Sequence, residues 1–144
     1  MLRPYDDVER VVGSVIGCAI EVHRILGPGL LESVYTECLE RELCSRGLFV
    51  ERQRPVPIVY KGERLHAVLR VDLLVERSVV VEVKALEQLA PVHQAQVITY
   101  LKLTGCPAGL LMNFNSVLLR NGLRRLDHPN RYAAKHKKGR NEEP

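Results

Sequence analysis

Between residues 6 and 26 the apolar positions Val8, Val11, Val12, Val15, Ala19, Val22 and Leu26 recur every three or four residues. That spacing predicts an amphipathic helix with one buried stripe. Gly27-Pro28-Gly29 ends it, and a second helix follows from about Leu31 to Arg46, closed by Gly47 as a left-handed C-terminal cap. The period then changes. FVERQRPVPIVY, ERLHAVLRVDLLVE, VVVEVKAL, AGLLMNFN and VLLRNGLRRL are rich in β-branched and aliphatic residues. They are separated by turn signals such as Lys61-Gly62 and Asn113 to Ser116, and so read as five strands. Between the third and fourth, a helix is predicted from about Pro91 to Leu103, ended by Gly105. The order ααβββαββ, without repeat or low-complexity linker, implies a mixed sheet with helices packed against it: a three-layer α/β (α+β) fold.

At 144 residues the chain is long enough for one core and too short for two. Residues 1–126 are expected to form a single domain and residues 127–144 a basic, flexible tail. With 46% hydrophobic and 26% charged residues, the composition is that of a folded globular protein and excludes a disordered chain. No apolar run approaches the roughly 20 residues of a membrane span. The opening MLRPYDDVER carries acids where a signal peptide is basic and then apolar, so no membrane association and a cytoplasmic, reducing location are expected. Cys18, Cys38, Cys44 and Cys106 lack zinc-site spacing and read as core or helix-face thiols. Net charge is +4, much of it from Arg120, Arg124, Arg125, Arg131, Lys135, Lys137, Lys138 and Arg140, a mild excess suited to a polyanionic partner.

Chemistry concentrates in residues 70 to 86, RVDLLVERSVVVEVKAL. Side chains alternate across a strand, so Glu82 and Lys84 share one face while Val81 and Val83 share the other. If Glu76, Arg77 and Ser78 form a three-residue turn, Val75 pairs with Val79 and Asp72 falls opposite Glu82. Two carboxylates placed so repel each other unless a cation lies between them. A hard divalent ion, Mg2+ or Mn2+, is the natural occupant, with Lys84 beside it to hold a water or to stabilise charge on a phosphate. The ordinary alternative is the polar face of a hairpin. Solvation explains that poorly here, because these residues sit among LLV and VVV.

An Asp on one strand, Glu-x-Lys on the next and then a helix resembles the active-site signature of the PD-(D/E)XK nuclease superfamily. Gln96 and Tyr100, in PVHQAQVITYLKLTG, are similar to the Gln-x-x-x-Tyr pattern of its RecB-like branch. HRILGPGLLESVYTECL carries Gly29, Glu32 and Tyr35 after His23 and resembles the motif of the GxxExxY protein family, as do YLKLTG and GLLMNFN. The resemblance spans roughly residues 8 to 126. It implies a restriction-endonuclease-like mixed sheet flanked by helices and divalent-metal-dependent hydrolysis of phosphodiester bonds in DNA or RNA. By the same resemblance Asp72 and Glu82 are metal ligands, Lys84 is the catalytic lysine, and Gln96 and Tyr100 support the site or contact nucleic acid. Val71 stands where the superfamily's name has proline, which leaves the ligands themselves intact.

Other residues have two readings. Glu32 shares a helix face with Tyr35 and Leu39, so it either reaches the metal site or caps the helix start. His23 is either a metal ligand, as in RecB-like enzymes, or a helix-end histidine bonded to a carbonyl. His93, one turn before Gln96, lines the cleft or lies on the surface, and Tyr35 stacks on a base or belongs to the core. Two functions follow: a metal-dependent nuclease, or a catalytically silent module of the same fold that binds nucleic acid or protein. A homodimer would let so small a domain cut both strands, although no heptad or interface stripe calls for one.

Overall fold

Side-chain periodicity translates directly into layers. The computed structural model describes residues 5–131. Its elements are α1 (Tyr5–Leu26), α2 (Glu32–Ser45), β1 (Val50–Tyr60), β2 (Glu63–Val75), β3 (Val79–Lys84), α3 (Pro91–Thr104), β4 (Ala108–Asn113), a short 3-10 turn (Leu119–Gly122) and β5 (Leu123–Asp127). The strands form one sheet in the order β1-β2-β3-β4-β5, antiparallel except for the parallel pair β3 and β4. α3 bridges that pair, since parallel neighbours need a crossover.

The stripe of α1 (Val8, Val11, Val12, Val15, Ala19, Val22) packs with Tyr35, Leu39 and Leu43 of α2 onto one face of the sheet, against Val79, Val81 and Val83. Val97, Tyr100 and Leu101 of α3 cover the other face, against Val71, Leu74, Val80 and Leu111. β3 and β4 are thereby buried on both faces, which is why VVVEV and AGLLMN run almost continuously apolar. This is the three-layer, helix-flanked mixed sheet expected of a restriction-endonuclease-like fold.

One boundary differs from the sequence reading. VLLRNGLRRL reads as a strand from 117, yet Val117 and Leu118 are exposed, Leu119–Gly122 is a 3-10 turn, and β5 begins at Leu123. The turn folds back on the end of β4 so closely that a Cβ on Gly122 would stand 2.7 Å from the Asn113 carbonyl oxygen. Only glycine permits that approach. Past residue 126 the chain is still held: Asp127 pairs with Ala108, and the Arg131 guanidinium lies 3.2 Å from both Glu9 and Asp127. The rest of the expected tail, with Lys135, Lys137, Lys138 and Arg140, lies outside the described residues. All four cysteines are free thiols: Cys18 and Cys106 are buried, and Cys44 is exposed on α2. Among the described residues no helix is long and apolar enough to cross a membrane.

Candidate functional site

The turn at Glu76, Arg77 and Ser78 places Val75 opposite Val79, Leu74 opposite Val80 and Leu73 opposite Val81. One step further Asp72 meets Glu82, and there side chains take over from the main-chain ladder. The Asp72 N–H donates to Glu82 Oε1 at 3.1 Å, and the Val83 N–H donates to Asp72 Oδ2 at 2.9 Å. Val71 and Leu73 pack into opposite hydrophobic layers, so β2 turns over at the aspartate between them.

Electrostatics at this corner are unbalanced. Glu82 is 3% exposed, and its pKa is pushed up to about 8, by burial first and then by the neighbouring Asp72 carboxylate. Lys84 Nζ stands 3.9 Å from Glu82 Oε2 and pulls the other way without prevailing. Glu32, the first residue of α2, is also raised, by burial and by Asp72, against the pull of Lys84 and His93. Its carboxylate takes no hydrogen bond or ion pair among the described residues. A cleft of about 380 Å³ opens between α2 and the strands, lined by Glu32, Ser33, Arg52, Gln53 and Asp72 among others.

The Gly-x-x-Glu-x-x-Tyr segment is what presents Glu32. Gly29 has φ 104, a conformation a side chain would strain. Tyr35, fully buried and stacked on Phe114 at 4.7 Å, donates its hydroxyl to the Gly27 carbonyl at 2.6 Å and accepts the Leu30 N–H at 3.1 Å. The phenol thus staples the loop whose end is Glu32, and its ring is not free to stack on a base.

Gln96 donates to the Tyr100 hydroxyl at 3.0 Å on α3. The Tyr100 phenol is raised to about 12 by burial, then by Glu82 and Asp72, which places it beside both carboxylates. His93 accepts the Ala90 N–H on Nδ1 at 2.8 Å, a helix-start bond that Ala90 has no side chain to supply. With Nδ1 an acceptor, the neutral ring carries its proton on Nε2. His23 lies elsewhere: its Nε2 donates to the Ser116 carbonyl at 2.8 Å, the carbonyl-bonded reading of this residue, and its ring is 6.2 Å from Phe114.

Two residues at the site escaped sequence reasoning. Gln53 faces Asp72 from β1, has φ 53, and points Nε2 at Asp72 Oδ1 from 3.4 Å. A non-glycine residue held in left-handed backbone within a strand is a mark of functional sites, and sequence carries no sign of it. Asn113, 3% exposed, accepts the Leu86 N–H and donates to the Leu86 carbonyl, both at 2.9 Å. It clamps the chain just past Lys84. Its signal was available: a lone amide ending the apolar run AGLLMN.

A buried surplus of carboxylate over ammonium is what a hard divalent cation neutralises, and such an ion needs only one or two carboxylates when water completes its shell. The donors Asp72 and Glu82, with Glu32 across the cleft, fit that requirement. Among the described residues no three His, Cys, Asp or Glu side chains converge closely enough to enclose a metal unaided.

Residues 9–126 match the family model described as the PD-(D/E)XK nuclease superfamily. Neither the curated proteins nor the solved structures contain a match to this chain.

Proposed function

Because this chain belongs to the PD-(D/E)XK nuclease superfamily, we propose that it is a divalent-metal-dependent nuclease of the GxxExxY type, acting on phosphodiester bonds of nucleic acid. The observation that carries the reading is the half-buried Asp72 beside the buried Glu82, short of cations, with Lys84 at their rim. Asp72 and Glu82 would hold Mg2+ or Mn2+, with Glu32 reaching it through water. When bound, the ion supplies Lewis-acid polarisation of a phosphoryl oxygen and lowers the pKa of water.

The chain's own part is positional and electrostatic. The Asp72 and Val83 N–H groups fix the two carboxylates against rotation. Lys84 stands where its ammonium orients the attacking water and offsets charge growing on the phosphate oxygens. As water oxygen bonds to phosphorus, the ester P–O bond breaks, and the departing alkoxide takes up a proton in place of the one the attacking water gives up. Tyr100, held by Gln96, closes the α3 side and keeps water away, which strengthens each of these interactions.

The test is cleavage of single- and double-stranded DNA and RNA by the purified protein with manganese or magnesium, beside Lys84→Ala prepared identically. The variant is expected to lose about two to four orders of magnitude in rate. Equal cleavage by both would place any activity elsewhere. No cleavage by the wild type on any substrate would favour the silent binding module.

A further inference from the structure

β2 is much longer than its partner β3. The two pair only over Leu73 to Val75, whereas β1 follows β2 out to Tyr60 and Glu63. The outer half of the β1–β2 hairpin therefore leaves the sheet as a two-stranded ribbon. Isolated ribbons of this kind are marginally stable in water, so one that projects alone is suited to gripping something.

Its two faces differ. Val56 is buried and Leu69 half-buried, and both pack toward α3. The opposite face carries Val68 and Arg70, opposite Pro57 and Pro55, and, beyond an irregularity of β2 at residues 65–67 that includes His66, Arg64 opposite Val59, all of them exposed. Lys61 sits at the tip, over the Tyr60 ring at 5.6 Å. Between Pro55 and Arg70 the only acid is Glu63. Arg64 and Lys61 make no ion pair among the described residues, and Arg70 reaches only the Gln53 carbonyl, at 3.5 Å. Arg64 to Arg70 lies opposite Val59 to Pro55, and at about 3.3 Å per residue of that partner strand the row extends roughly 13 Å, the rise of about four phosphates of one DNA strand along the helix axis. Two positions past Arg70 in β2 comes Asp72.

We propose that this ribbon is a duplex-DNA grip, in which Arg64, His66 and Arg70 track the phosphate backbone and lead the strand to Asp72 and Glu82. As a statement about that site's substrate it rests on the nuclease reading. Charge selects a polyanion, and shape selects DNA. The B-form major groove, about 12 Å wide, admits a two-stranded ribbon, whereas the A-form groove of duplex RNA is too narrow and deep. Docking of a second copy by strand addition is opposed by Pro55 and Pro57. They deprive the edge strand β1 of outward N–H donors.

The experiment is fluorescence anisotropy of a labelled duplex DNA of about 20 base pairs, titrated with full-length protein in EDTA at several salt concentrations. Arg64→Ala/Arg70→Ala is expected to lower the slope of log K against log salt by about two, while Arg64→Lys/Arg70→Lys keeps it. An unchanged slope in the alanine pair overturns the proposal. So does duplex RNA binding as tightly as DNA with the same loss, or self-association that vanishes in the alanine pair while DNA binding does not change. Cleavage is read separately. If Lys84→Ala cuts like wild type while the alanine pair loses its salt slope, the active-site reading fails and the grip stands.

Discussion

Glu9, Arg125, Asp127 and Arg131 meet where α1 passes β5, with acids and guanidiniums alternating: Arg125 Nη1 lies 2.6 Å from Glu9, and Arg131 lies 3.2 Å from Glu9 and from Asp127. Asp72 and Glu82 meet between β2 and β3, with Glu32 of α2 across the cleft and Lys84 as the cation closest to Glu82. The consequences are opposite. The hydrogen bond from Arg125 holds the Glu9 carboxyl below the usual carboxylate range, whereas burial and Asp72 push Glu82 up to about 8. A cluster that balances its own charge fastens the chain, and one that leaves carboxylates in surplus, under cover, is prepared for a cation from outside.

The largest expected effect comes from neutralising the surplus. In metal-free protein folded Glu82 retains a proton that the unfolded chain releases, so stability falls as pH rises from about 4.5 to about 8. At about 1.4 kcal/mol per unit the loss amounts to a few kcal/mol. Glu82→Gln should remove that slope and raise the urea midpoint at pH 8, and should abolish the rise in Tm with manganese expected of the wild type. A flat wild-type profile would remove the basis for reading an uncompensated carboxylate surplus at this corner.

Glu9→Gln should act in the opposite direction. With a lowered folded pKa, Glu9 contributes stability above its unfolded value near 4.5, lost as pH falls through the folded one. Being partly solvated, it is worth about 0.5–1 kcal/mol at pH 7, readable as a lower urea midpoint. Shifts of the same sign for Glu9→Gln and Glu82→Gln at pH 8 would erase the contrast.

The smallest effect decides where Glu32 belongs. Its pKa is raised by burial, then by Asp72, so Glu32→Gln should stabilise metal-free protein at pH 8 by a few tenths of a kcal/mol after discounting for its exposure. It should also weaken the manganese-dependent Tm rise. Destabilisation would make Glu32 a helix-start residue and nothing more.

Much of this was legible along the chain. Period-two and period-3.6 patterns are local, and they gave all three helices and the first four strands close to their observed ends. The register that sets Asp72 opposite Glu82 followed from counting across a three-residue turn. The fifth strand was misjudged because VLL has strand composition while its geometry answers to Gly122 packed on Asn113. Gln53 and the anchor at Glu9 were invisible for a similar reason, since each acquires its meaning from a residue 19 or 116 positions away.

By itself, then, the amino-acid order determined the elements, the layers they build, and the carboxylate pair with its lysine, because alternation and turn length act within a few residues. Tertiary structure alone decided which groups those carboxylates face, that Tyr35 staples a loop, that His23 bonds the Ser116 carbonyl, and that the outer hairpin stands clear of the sheet. Burial and charge are sums over neighbours, and neighbours are brought together only when the chain closes on itself.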